Sequence, residues 1–259
     1  MMLAQISDTH LSAPRPDDDP HGRPARARTQ WVLVRDALRA DPPDLVVHTG
    51  DMVLDDPDRT EDHAAARRAI GELPVPVLLV PGNHDLGDHT SITDERRVAY
   101  LRVWGGDRWV HRHAGWRLVG INSLLLGSGL SAEREQEDWL DDLLASGPAE
   151  PTLLFCHQPL LLPVVGEAER WAVPPSGPRE RLVRRLADAG VSVVAGGHVH
   201  RHRDDTIDGL RQITAPSVAF AVPELPSPPG DPDTGYLTYR LADGPRITVE
   251  RRVVRPSSA

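Results

Sequence analysis

Apolar runs that stop at an aspartate, an asparagine or a histidine constrain this chain more than any other feature. Met2–Ser7 runs into Asp8-Thr9-His10, and Leu45–Thr49 into Gly50-Asp51. Val75–Val80 leads to Gly82-Asn83-His84-Asp85, Thr152–Cys156 to His157, and Val191–Ala195 to Gly197-His198-Val199-His200. Runs that are apolar without alternation read as strands buried on both faces, as in parallel sheets covered by helices. In α/β sheets, ligands bind in the crevice at the carboxyl ends of the strands. The pattern therefore asks for an α/β fold in which one end of the strands gathers Asp, Asn and His.

Helical patterns lie between these runs, at Thr29–Arg39, Glu61–Gly71, Thr93–Val103, Ala132–Ala145 and Pro178–Ala189. Further strands are expected at Trp109–His113, Trp116–Asn122, Leu210–Thr214, Tyr236–Leu241 and Arg246–Val254. The order is alternating β and α, then mostly β. This suggests a mixed sheet, or two packed sheets flanked by helices, in one domain spanning 1–259. Ser12–Arg28, rich in Pro, Asp and Arg, and Val222–Thr234, rich in Pro and Gly, read as irregular, and Ser12–Arg28, Asp85–Thr93 and Ala215–Gly235 are expected to wall a binding site.

Composition removes several function classes. All 29 basic residues are Arg, which excludes lysine Schiff-base chemistry and a P-loop. The net charge of −9 disfavours nucleic acid as a partner, since that binding rests on neutralising phosphates. The single cysteine, Cys156, excludes an internal disulfide and reads as a packed core thiol. The amino terminus shows no basic region and no long apolar segment, so no membrane partner and a cytoplasmic location are expected.

Taken singly, each strand-end residue has an ordinary explanation. Asp8 and His10, two apart, face one side of an extended segment, as do His198 and His200. Asp51 could cap a turn or bridge two cations through its two oxygens, and Asn83 could simply follow the Pro81-Gly82 turn. A lone buried His157 is more often structural than a ligand. Five such coincidences at successive strand ends point to a centre holding two divalent metals, which suits hydrolysis of a phosphate ester: water is activated and developing charge neutralised by metals about 3.5–4 Å apart.

The series Asp8-x-His10, Gly50-Asp51, Gly82-Asn83-His84-Asp85, His157 and Gly197-His198-x-His200 resembles the calcineurin-like metallophosphoesterases. More narrowly, Gln5-Ile-Ser-Asp-Thr-His-Leu11 and Thr214-Ala-Pro-Ser217 with Gly235-Tyr236 resemble bacterial class III cyclic-nucleotide phosphodiesterases and their glycerophosphodiesterase relatives. The resemblance implies a four-layer α-β-β-α sandwich, two mixed sheets flanked by helices. It implies one metal on Asp8, His10 and His200, another on Asn83, His157 and His198, and Asp51 bridging them. His84 is then free to protonate the leaving group or hold a phosphate oxygen. Asp85 either orients His84 or caps the turn. Asn83 and His84 are expected to touch substrate, with His202 either at the pocket rim or in a solvated turn. Leu54 stands where purple acid phosphatases need a tyrosine, and Met52-Val-Leu-Asp-Asp56 lacks the Asp-Arg-Gly run of protein serine/threonine phosphatases. Gln158 replaces a second histidine common in the close family.

These readings predict a phosphodiesterase acting on small phosphodiesters, such as 3',5'-cyclic nucleotides or glycerophosphodiesters, with two ions of Mn, Fe or Zn. A small-molecule phosphomonoesterase, a nuclease and a non-catalytic scaffold are the alternatives, and a homo-oligomer is left open.

Overall fold

The computed structural model describes residues 1–14, 22–145, 150–163, 171–222 and 233–255. In chain order the elements are β1 (Met2–Ile6), α1 (Arg23–Ala40), β2 (Leu45–His48), α2 (Thr60–Ile70), β3 (Val77–Leu79), α3 (Asn83–Leu86) and α4 (Asp94–Trp104). There follow β4 (Trp109–His113), β5 (Trp116–Gly120), a 3₁₀ turn (Ser123–Leu125), α5 (Ser131–Ala145), β6 (Thr152–Phe155), α6 (Ser176–Asp188) and β7 (Val193–Gly196). The chain closes with β8 (Arg203–Ile207), β9 (Leu210–Thr214), β10 (Gly235–Leu241) and β11 (Ile247–Val253).

Two mixed sheets form, ordered β11-β10-β1-β2-β3 and β4-β5-β6-β7-β9-β8. β1, β2 and β3 run parallel, as do β5, β6, β7 and β9, while β10, β11, β4 and β8 pair antiparallel at the flanks.

The period-two geometry of a strand sends successive side chains into different layers. Leu3, Leu45 and Val47 from the first sheet meet Leu118, Leu153, Phe155, Val193 and Ala195 from the second, so these residues form the core between the sheets. Their neighbours point the other way. Ala4, Ile6 and Val46 pack beneath Trp31, Val34 and Leu38 of α1, Ala66 and Ile70 of α2, and Tyr100 and Trp104 of α4. Val119, Leu154 and Val194 pack beneath Leu140 and Leu144 of α5 and Leu182 and Leu186 of α6. Three stacked cores make four layers, α-β-β-α, as expected.

Besides the short α3, which falls where a turn was expected, two elements depart from the sequence reading. α1 begins at Arg23, six residues before the expected Thr29, and takes up part of the segment read as irregular; Pro24 sits in its first turn, where the missing N–H breaks no helical hydrogen bond. β8 was not anticipated, because Arg203-Asp-Asp-Thr-Ile207 is a polar edge strand with no buried residue. No helix among the described residues is long and apolar enough to cross a membrane.

Candidate metal centre

The parallel strands of both sheets end at one rim of the sandwich. Just past β1, β2 and β3 come Asp8 and His10, Asp51, and Asn83; past β6 and β7 come His157, and His198 with His200. Main-chain bonds lock these loops together. Asp8 N donates to Gly50 O (2.9 Å), His10 N to Asp51 O (3.0 Å), and Gly197 N to His157 O (2.8 Å). Gln5 ties the two sheets behind the site, donating to Thr49 Oγ1 and to Gly196 O.

Turning a ligand into the rim from the end of a strand requires an abrupt backbone bend. Asp8, His10, Asp51, His198 and His200 all have positive φ, between 45° and 67°, so the Asp8/His10 and His198/His200 pairs do not sit in the extended segments expected of them. That left-handed region costs a non-glycine residue about 1–2 kcal/mol, and such strain gathers where function demands a geometry. Neighbouring glycines are needed for space, and Gly50 also for its φ of 98°: a Cβ on Gly50 would lie 2.6 Å from His157 Nδ1, and one on Gly197 2.6 Å from Asp8 Oδ2.

The donor atoms form two groups that share Asp51. Asp8, His10, Asp51 and His200 make one; Asp51, His157 and His198 make the other, with ligand atoms within 4.8 Å of one another in each. Asn83 Oδ1 lies 3.1 Å from His157 Nε2 and joins the second. Asp51 Oδ2 is the common atom, 3.8 Å from His10 Nε2 and 3.4 Å from His157 Nε2.

Each histidine is oriented by a main-chain carbonyl. His157 Nδ1 donates to Thr49 O (2.7 Å), His200 Nδ1 to Phe220 O (2.7 Å), and His10 Nδ1 lies 3.3 Å from both Val53 O and Leu54 O. His198 is reversed, with Nε2 donating to Trp171 O (2.9 Å). A carbonyl only accepts, so these nitrogens carry the proton and the opposite nitrogen turns a lone pair inward, as metal-binding histidines do. The inward nitrogens crowd one another. His10 Nε2 is 3.1 Å from His200 Nε2, and His157 Nε2 is 3.0 Å from His198 Nδ1. Asp8 Oδ1 is buried and has His200 Nε2 at 3.4 Å. Inward ring nitrogens in close pairs beside buried carboxylates are a donor set that a divalent cation can take over by displacing the protons they share, so the residues present fit two such ions.

The electrostatics agree. Burial opposes charge on Asp51, yet His157 and His84 outweigh it and hold the carboxyl well below its usual range; His200 does the same for Asp8. Burial also opposes charge on His157, but Asp51 and Asp8 prevail and raise it to about 9. His10 is pushed down to about 3 by burial and by His84, and His198 to about 4 by burial and by His157.

His84 stands over this pair of clusters without joining either. Its N–H donates to Asp51 Oδ1 (2.9 Å), its ring meets His10 edge-on at 4.9 Å, and its Nε2 is 3.9 Å from Asp51 Oδ2. Its side chain is 31% exposed, and Nδ1 has no hydrogen-bond partner among the described residues. Asp85 therefore does not orient His84, and the turn-capping reading is the one the structure supports. Asp85 Oδ1 accepts from Met52 N and Val53 N, and Oδ2 from Gly82 N, which braces the loops carrying Asp51 and Asn83. Burial and the nearby Asp51 raise its carboxyl to about 7.

A cavity of about 210 Å³ opens above the clusters, lined by His10, Asp51, Asn83, His84, His198 and His200 together with Arg23, Leu54, Trp171, Val199, Phe220 and Val222. His202 does not line it; its Nδ1 meets Thr214 O at 3.0 Å. Of the three segments expected as walls, 12–28 supplies Arg23 and 215–235 supplies Phe220 and Val222, while 85–93 supplies no lining residue. Residues 15–21 and 223–232 lie outside the described residues. Trp171 was missed and carries no local sequence signal. Phe220 was recoverable in principle, since it follows β9 at the same rim. His48 is buried and hydrogen-bonded: Nε2 donates to Thr9 Oγ1 and Nδ1 accepts from Gly50 N. Cys156 is a buried thiol pushed up to about 12 by burial, as a core residue should be.

Similarity to known proteins agrees with this geometry. Human serine/threonine-protein phosphatase CPPED1 is 29% identical over 168 residues, covering 62% of this chain and 52% of that protein, so the chain spans about half the length of this relative. The 3',5'-cyclic adenosine monophosphate phosphodiesterase CpdA of Escherichia coli K12 is 26% identical over 223 residues, covering 83% of this chain and 75% of that protein. The crystal structure of a dimetal phosphatase from Danio rerio shares the fold, with a TM-score of 0.65 at 18% identity over 97% of this chain and 96% of that one. The sequence model of the calcineurin-like phosphoesterases matches residues 1–202, more than three quarters of the chain and every strand-end motif but the late loops; the chain belongs to that family.

Proposed function

We propose that this protein is a dinuclear-metal phosphodiesterase acting on small diesters, cyclic nucleotides or glycerophosphodiesters. The observation that carries the reading is the cavity wall. Beyond the ligand side chains and His84 it is mostly apolar, with Leu54, Trp171, Val199, Phe220 and Val222. Its one guanidinium among the described lining residues, Arg23, is already engaged by Asp55 at 3.1 Å. A monoester dianion asks for further cationic partners. A diester carries one negative charge and an organic group on each side, which suits apolar walls around a cationic floor. CpdA, named for hydrolysis of a cyclic diester, aligns with most of this chain and adds support.

In this reading Asp8, His10 and His200 hold one ion, Asn83, His157 and His198 the other, and Asp51 Oδ2 faces both. Bound divalent ions supply an activated water and neutralise charge on the phosphoryl oxygens. The main-chain carbonyls on the histidines keep the donor atoms aimed without rearrangement. His84, whose side chain is partly exposed, gives a proton to the departing oxygen, a role typically worth about 10²–10⁴-fold. Asn83 and His84 also contact the phosphate.

The test compares bis-p-nitrophenyl phosphate with p-nitrophenyl phosphate, then a cyclic nucleotide with a glycerophosphodiester, on Mn-loaded and exhaustively chelated protein. Diesterase activity that chelation abolishes and metal restores is expected. A preference for the monoester, in line with the phosphatase name of CPPED1, overturns the diester assignment. Full turnover by the chelated protein overturns the metal mechanism.

A further inference from the structure

The cavity has two chemically distinct ends. Phe220 stacks on His10 (5.1 Å, 20° between planes) and belongs to an apolar cluster with Leu54, Ala27 and Val222. His84 meets the same His10 edge-on. At the other end Trp171 lies 5.2 Å from His198 and belongs to a separate cluster with Val199, Leu162 and Val173. The two aromatic residues thus stand over different ligand groups, with Asp51 between them.

Resting on the diester reading, we propose that Trp171 is the specificity residue for the substituent that stays on phosphorus, and that it selects a flat ring over a small alkyl group. In the hydrolysis, a water oxygen bonds to phosphorus, one P–O ester bond breaks, and the departing oxygen takes a proton. The proton donor fixes which end leaves: the group beside His84, over His10 and Phe220. The retained group then extends toward His198, where Trp171 forms the wall. Phe220 is almost fully buried against the histidines, whereas Trp171 is only partly buried and lines the open cavity. An indole offers a large π face on which a planar ring stacks, a contact a methyl group cannot make.

The experiment holds the leaving group constant. p-Nitrophenyl diesters carrying methyl, phenyl or thymidine-5' as the second substituent are compared by kcat/KM in wild type, Trp171→Ala and Trp171→Phe, with metal content measured for each. Binding of dimethyl phosphate and of methyl benzylphosphonate is followed by titration calorimetry, which reads the same preference without turnover. Wild type is expected to favour the aryl and thymidine esters by about ten-fold or more over methyl. Trp171→Ala brings that ratio close to one, and Trp171→Phe restores part of it. An unchanged ratio in Trp171→Ala with both metals bound overturns the assignment of Trp171 and leaves the diester reading standing. Absence of turnover on every diester, with a monoester cleaved, overturns the diester reading and this inference with it. Loss of metal from Trp171→Ala alone makes Trp171 a support for His198, and the calorimetric ratio in the Phe variant then decides: if it does not exceed one, the inference fails.

Discussion

Gly82→Ala tests the geometry of Asp51 while leaving every ligand side chain in place. Gly82 has φ −107° and ψ 176°, extended backbone that alanine adopts freely, so the change introduces no torsional strain. The effect is steric. A Cβ there overlaps Asp51 Oδ1 and N and lies 2.8 Å from Asp51 Cγ. Ordinary contact begins near 3.4 Å, so the carboxyl must retreat by at least about 0.6 Å, and the overlap at N drags the loop with it. Overpacking of this kind costs about 1–3 kcal/mol, roughly 3–10 °C in Tm for a chain of this size. The functional loss is larger, because Asp51 Oδ2 serves both ligand groups and a misplacement near 1 Å costs on the order of 10²-fold. Gly190→Ala is the control. Gly190 has φ +74° with open space around the added methyl, so it loses stability through strain, about 1–2 kcal/mol, far from the rim. Metal analysis, kcat/KM and thermal melts on both variants decide the matter. Comparable falls in Tm are expected, with metal and activity lost only in Gly82→Ala. Two tightly bound metals and near-normal turnover in Gly82→Ala refute the placement of Asp51.

His84→Ala should keep both metals, lose about 10²–10⁴-fold on a diester with an alkoxide leaving group, and lose far less on a p-nitrophenyl ester; equal losses on both mean positioning rather than proton donation. Metal uptake should release protons in a pH-dependent way. His157 is raised to about 9, so its proton is favoured by the folded chain below that pH, and the associated stability is lost as pH rises through 9. A ligand must be neutral, so loading near pH 7.5 expels this proton, loading above about pH 10 does not, and metal affinity climbs across the window. A calorimetric proton count that stays flat from pH 7 to 10 contradicts the raised protonation of His157. Iron-loaded protein should show no tyrosinate charge-transfer band, since Leu54 occupies the third position after Asp51 and no tyrosine lines the cavity among the described residues; a strong visible band on iron loading refutes this.

The sequence carried the rim of the molecule better than its faces. Asp8, His10, Asp51, Asn83, His157, His198 and His200 were legible because each follows an apolar run, and strand ends are where a parallel sheet opens to ligands. Their division between two groups came from resemblance alone, since it depends on how β6 and β7 of one sheet lie over β1 and β2 of the other. Sheet order is a long-range property that leaves no local trace. The polar β8 was invisible because an edge strand with no buried residue lacks the apolar period that marks a strand. Asp85 was ambiguous for a similar reason: three N–H groups from two loops converge on it, and only the folded chain brings them together. The carbonyls of Thr49, Leu54, Trp171 and Phe220 that aim the histidines belong to the main chain, which sequence does not distinguish.

The left-handed bends at Asp8, His10, Asp51, His198 and His200 have a consequence for how this sequence should be judged. At those five positions the polypeptide would be more comfortable with glycine, which visits that region without penalty. A chain selected only to fold would replace them, because stability is small and each relief counts. The protein instead keeps bulkier, chemically armed residues where glycine would sit without strain. Folding optimum and working optimum therefore point to different amino acids at the same five sites, and the distance between the two is itself a physical mark of use.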